Sequence, residues 1–237
     1  IANMSTAGYK RRRAEFQDLL YQNMRRVGSQ SSDIGSVLPS GAQLGLGVKT
    51  SAIYRISEQG SLQQTENTFD LAIRGNGFFQ VLLPSGELAY TRDGTFGLSP
   101  EGVIVTAEGF VVQPGITIPD GAQSITIGSD GVVSVQLAGQ SAPVQIGSLQ
   151  LVDFVNPAGL QPRGENLLLE SAASGPAQVG TPGLNGLGTI VQGALESSNV
   201  NVVEELVNMI ETQRAYEMNS KAIATTDQML EYVNNTL

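Results

Sequence analysis

The chain has 237 residues, 41% of them hydrophobic but only 5% aromatic, with 28 Gly and no Trp, which describes a turn-rich, lightly packed β body and excludes a disordered chain. Its formal charge of −9 argues against nucleic acid as a partner, although residues 1–55 carry a net +5 and residues 56–237 a net −14. With neither His nor Cys, the chain lacks the usual proton carrier near neutral pH, the commonest metal ligands, a thiol nucleophile and disulfides. An enzyme is disfavoured on these grounds and no cofactor is expected.

The opening residues, Ile1-Ala2-Asn3-Met4-Ser5-Thr6-Ala7-Gly8, read as the end of a longer element, and no charged stretch followed by an apolar one marks a signal peptide. From Lys10 to about Val27 the pattern predicts a helix, with Phe16, Leu19 and Leu20 at helical spacing and neither Gly nor Pro before Gly28. The run Lys10-Arg11-Arg12-Arg13 within it is expected to form a solvated or intersubunit face. Residues 28–47 are rich in Gly and Ser, include Pro39 and keep no period, as in a linker or an arm held from outside the chain. Gly45-Leu46-Gly47-Val48-Lys49-Thr50 lacks both the Lys placement and the preceding strand of a phosphate-binding loop.

Residues 48–170 read as β almost throughout. Short alternating runs such as Ser124–Gly128 and Val132–Leu137 are separated by turn signals at Pro84-Ser85-Gly86, Asp93-Gly94, Glu101-Gly102, Glu108-Gly109, Asp120-Gly121, Asp130-Gly131 and Ala138-Gly139. That spacing predicts hairpins in an antiparallel sandwich or open barrel. From Asn156 to Gly193 the composition returns to that of loops, with Pro157, Pro162, Pro176 and Pro182.

A long terminal helix follows. Asn201 is its expected N-cap, Glu204 three residues on completes a capping-box pattern, and no Gly or Pro interrupts the run to Leu237. Every seventh residue from Val202 is apolar or aromatic: Val202, Met209, Tyr216, Ile223, Leu230 and Leu237. Leu206 and Ile210 belong to a second apolar row beside Val203 and Val207. A helix of this length runs about 55 Å, whereas a body of some 120 residues has a radius of gyration of only about 14 Å. Its own body is too small to cover the seam, so other copies of the chain are expected to do so. The candidate assembly interface therefore comprises these eight residues, with Phe16, Leu19 and Leu20 from the N-terminal segment and Leu38, Pro39 and Leu44 from the arm.

Several stretches are similar to a known family. They are ANMSTAGYK (Ala2–Lys10), GNGFFQV (Gly75–Val81), YTRDGTF (Tyr90–Phe96), GENLLLE (Gly164–Glu170) and LESSNVNVVEELVNMIETQRAYEMNSKAIATTDQML (Leu195–Leu230). On these the chain resembles the bacterial flagellar axial proteins of rod and hook. The arm Leu19–Lys49 and TPGLNGLG (Thr181–Gly188) are most like the distal-rod branch.

The resemblance implies an α+β, mainly β fold: an antiparallel β outer domain with terminal helices forming a coiled-coil-like inner domain in a helical tube. It divides the chain into an N-terminal inner helical segment (1–27, its start preceding Ile1), an extended linker with a distal-rod-type insertion (28–70), a β-rich outer domain (71–170), a return linker (171–194) and a C-terminal inner helix (195–237). It further implies a straight hollow shaft that carries torque from the motor to the hook and encloses the export channel. The implied partners are further copies of the chain, proximal rod proteins, the hook protein, the peptidoglycan-layer and outer-membrane ring proteins and the flagellar export apparatus. The implied location is the periplasm-spanning basal body, reached by type III export without a cleaved signal peptide. Other functions compatible with the residues are a proximal-rod or hook subunit, a secreted adhesin or phage-tail-like β protein, and an enzyme acting on cell-wall glycan. For the last, Glu58, Glu66, Asp70, Asp93 or Glu101 could supply carboxylates, but spacing singles out no pair.

Overall fold

The computed structural model describes residues 2–25, 40–139 and 142–236. The chain divides into two compact units, residues 11–57 and residues 1–10 with 58–237.

The smaller unit is a two-stranded antiparallel ribbon. Strands β1 (Arg12–Asp18), β2 (Tyr21–Arg25), β3 (Ala42–Gly45) and β4 (Val48–Arg55) run out and back, β1 pairing with β4 and β2 with β3. The Leu19 amide donates to the Gly47 carbonyl and the Leu46 amide to that of Leu20, which joins the two pairs. Among the described residues the helix expected over Lys10–Val27 is thus absent: residues 12–18 and 21–25 are strands. Ala, Glu, Gln and Leu are good helix formers, but the partner segment carries Val48, Thr50 and Ile53, and the cross-strand pairs Ala14–Ile53 and Phe16–Thr50 override the weak local preference.

In the larger unit, β5 (Leu62–Gln64), β6 (Leu71–Arg74), β7 (Phe78–Leu82), β8 (Leu88–Thr91), β9 (Phe96–Leu98), β10 (Ile104–Thr106) and β11 (Val111–Val112) come first. They are followed by β12 (Ala122–Ile127), β13 (Val132–Leu137), β14 (Val144–Ser148), β15 (Leu151–Asp153), β16 (Gln161–Gly164), β17 (Leu167–Leu169), β18 (Gln178–Gly180), β19 (Thr189–Gln192) and β20 (Ala194–Glu196). All paired strands are antiparallel. The largest sheet runs β16-β17-β8-β7-β11-β10-β9, and β15 joins β7 to β18. The predicted turns fall between strands, as at Gly86 between β7 and β8 and Gly131 between β12 and β13, both at positive φ that Gly adopts without a Cβ penalty.

Strand periodicity explains how the sheet is buried. Phe79, Val81, Ala89, Leu151 and Leu167 enter one core with Ile73, Phe96, Val133 and Ile190. Their neighbours Phe78, Tyr90, Val152 and Leu168 point the other way into a second core around Phe154 and Leu160. Edge-to-face ring pairs fasten both sides, Phe79–Phe96 at 5.0 Å and Tyr90–Phe154 at 4.8 Å between centroids. The mainly β, antiparallel α+β class expected from the sequence is the class observed. The loop-like stretch 156–193 differs from expectation: it holds β16 to β19, whose three or four residues are too short to show a period but are ordered by the strands they pair with, β16 to β18 in the large sheet and β19 on β6. The last element is α1 (Val202–Thr236).

Candidate assembly interface

Local chemistry starts α1 where the sequence places it. The Asn201 side-chain oxygen accepts from the amides of Val203 (3.2 Å) and Glu204 (3.5 Å), and its carbonyl accepts from Glu205. Glu204 and Glu205 lie in the first turn, where the helix dipole favours negative charge. Beyond this root the helix is uncovered. Val202 is half-buried, but Met209, Tyr216, Ile223 and Leu230 are exposed, Tyr216 at 75% and Ile223 at 64%. Leu206 and Ile210 are exposed as well, and so are Met218, Met229 and Tyr232 off the seven-residue row. Beyond its first turn α1 therefore carries apolar side chains that nothing among the described residues covers.

In the ribbon, antiparallel pairing puts Ala14, Phe16, Val48 and Ile53 on one face, and Phe16, Val48 and Ile53 are each about two-thirds exposed. Arg12 and Arg55, opposite one another, end that face. Leu19 and Leu20 sit between β1 and β2, Leu44 lies in β3 opposite Gln22, and all three are exposed. Candidate residues Leu38, Pro39 and Leu237 lie outside the described residues. The carboxylates considered for glycan chemistry include two bound into turns: Asp70 accepts from Thr65 Oγ1 and Asn67 Nδ2, and Asp93 from Thr95 Oγ1 and Asn166 Nδ2.

A cluster that the sequence reading missed lies at the root of α1. Glu196, at the end of β20, is 1% exposed. Its Oε1 accepts from Lys10 Nζ and from the Gly60 amide at 3.0 Å, and its Oε2 accepts from Arg92 Nη1 at 3.2 Å. Lys10 Nζ also donates to the Glu58 carbonyl at 2.8 Å, and Arg92 Nη2 to that of Gly75 at 2.6 Å. The Arg92 guanidinium lies 5.5 Å from the centroid of the Phe78 ring. Burial lowers the pKa of both cations, and the Glu196 carboxylate opposes the shift. Lys10 is therefore no part of a solvated basic run; only Arg12 and Arg13 of that run are exposed, on opposite ribbon faces. The one signal in the sequence was that Lys10, Arg92 and Glu196 each fall inside a stretch similar to the axial proteins.

Comparisons with known proteins decide the family. The model described as the flagellar hook protein FlgE/F/G D1 domain matches residues 72–135, and that of the flagellar basal body rod FlgEFG protein C-terminal matches residues 191–236. The flagellar basal-body rod protein FlgG of Caulobacter vibrioides is 54% identical over 231 residues, covering 98% of this chain and 88% of that protein. The chain belongs to the flagellar basal-body rod protein FlgG family. Relatives of the same description occur in Borreliella burgdorferi, at 46% identity over 99% of this chain and 89% of the relative, and in Bacillus subtilis, at 38% over the same shares. The family is one of structural subunits of the basal-body rod, and that is the role of this chain. The D1 match spans β6 to β13, and the C-terminal match takes in β20 and α1, the elements that carry Glu196 and the exposed helix.

Proposed function

We propose that copies of this chain stack helically into the distal part of the rod, a straight hollow shaft that carries torque from the motor towards the hook. In this reading α1 lines the inside of the tube around the export channel, the β body faces outward, and the ribbon with its arm bridges neighbouring copies. The subunit leaves the cell unfolded through the type III export apparatus without a cleaved signal peptide. It assembles across the periplasm on the proximal rod, within the peptidoglycan-layer and outer-membrane rings, and bears the hook at its far end. One observation carries the reading: α1 holds Met209, Tyr216, Ile223 and Leu230 exposed along its length, a surface that in water favours burial against other helices.

Electron microscopy of the concentrated chain tests it. Wild type is expected to form tubes, and Tyr216→Asp or Ile223→Asp to abolish them, because a charge in a packed seam is costly to bury. Both side chains are exposed in the single chain, so the thermal transition of the β body is expected to stay unchanged. Normal tubes from either variant would refute the placement of the seam.

A further inference from the structure

Four stretches distant in sequence meet at one carboxylate. Residues 8–10 arrive through Lys10 and through the Gly8 amide, which donates to the Glu196 carbonyl at 2.7 Å. Residues 58–61 arrive through the Glu58 carbonyl, the Gly60 amide and the Ser61 carbonyl, the last accepting from the Ser197 amide at 2.8 Å. The β body contributes Arg92, whose guanidinium also holds the Ile73 and Gly75 carbonyls. Residues 196–199 close the set, with the Asn199 amide donating to the Tyr9 carbonyl and Asn199 Nδ2 to that of Glu58. The fit leaves no slack: a Cβ at Gly60 would overlap the Ser197 carbonyl, and one at Gly8 would lie 2.6 Å from the Arg92 carbonyl carbon.

The position of the cluster in the chain gives it meaning. Lys10 is the last residue before the ribbon unit and Glu58 the first after it. Glu196 lies five residues before the cap of α1. Every covalent route from the β body to the ribbon or to α1 thus passes through one buried ionic cluster. Apolar packing could bury the same volume without the cost of desolvating three charges, but it is not directional. Two cations and the Gly60 amide converging on fixed carboxylate oxygens set a unique register between the segments they join.

We propose that the Lys10–Glu196–Arg92 cluster is a force-transfer joint: it fixes the root of α1, residues 8–10 and residues 58–61 to the β body, so that torque on one is passed to the others without slippage. This rests on the rod reading above. Lys10, Arg92 and Glu196 are positioning residues in this role, acting through the segments they hold.

Lys10→Met is the informative variant. It leaves the Arg92–Glu196 pair in place, and so the β body folded, while removing the bonds of Lys10 Nζ to the Glu196 carboxylate and to the Glu58 carbonyl. In the dispersed chain, hydrogen exchange at the Gly8, Ser197 and Asn199 amides is expected to quicken on the order of tenfold, with the thermal midpoint of the β body close to wild type. Tubes of the variant are expected either to fail to form or to have a persistence length, measured from micrographs, several-fold below wild type. Lys49→Met, which removes an exposed ribbon lysine, should change neither reading. Unchanged exchange at the three amides would overturn the joint. So would faster exchange with tubes of unchanged stiffness, which would leave the rod reading intact. A wild-type chain that forms no tubes would overturn the rod reading itself, and the joint with it.

Discussion

Glu196 and Lys10 carry the chemistry that is decided residue by residue. Glu196→Gln leaves two buried cations facing a neutral amide, and breaking a buried ionic cluster on one side typically costs about 3–5 kcal/mol. A thermal or denaturant transition of the dispersed chain should show a loss of that order. For Lys10 the pH dependence has a definite sign. Burial pushes its pKa below the ordinary 10.5, so the folded chain gives up this proton at lower pH than the unfolded chain does. Between the two values the unfolded state holds more protons, and the Lys10 contribution to stability rises with pH there. It levels off above 10.5 and is lost as pH falls through the lowered value. The slope of the thermal midpoint across that alkaline window should be shallower in Lys10→Met than in wild type. Neither residue was legible as buried from the sequence, because Lys, Arg and Glu are almost never fully buried unless paired, and the partners lie up to 186 positions apart.

Among the elements, α1 was legible because its signals are local. Asn201, the acidic first turn and an uninterrupted run lie within one stretch of chain, and the structure starts the helix at Val202. Asn201→Ala should cost about 1 kcal/mol, read as faster exchange of the Val203 and Glu204 amides that Asn201 Oδ1 now accepts from. The ribbon was not legible, for the opposite reason. Arg12–Asp18 is ambiguous by itself, since Ala14 and Phe16 alternate with Arg13, Glu15 and Gln17 as a strand would, while the composition favours helix. What decides is β4, more than thirty residues later, which no local window contains. Two-stranded ribbons are marginal in water without further packing. Trypsin is therefore expected to cut the dispersed chain at Arg12, Arg13 or Arg25 and to spare these sites in assembled tubes. Cleavage equally fast in tubes would show that the ribbon stays bare on assembly.

For the molecule as a whole, charge is distributed as unevenly as exposed apolar surface, with a net +5 over residues 1–55 and −14 over the rest. If the basic start of one copy meets the acidic body of the next, tubes should lose stability as salt rises through the range where the screening length falls from about 10 Å to about 3 Å. Equal stability at low and high salt, measured by pelleting, would show that apolar contacts set the stacking alone. By itself the sequence determined the helix and its cap, the hairpin turns, the antiparallel β class and the poverty of catalytic groups. Each of these is set by neighbours a few residues apart or by composition. Only the tertiary structure decided that Arg12–Asp18 is a strand, that short segments after Asn156 pair as strands, and that Lys10, Arg92 and Glu196 form one cluster. Those outcomes depend on pairing and desolvation between segments that the chain brings together only when it folds.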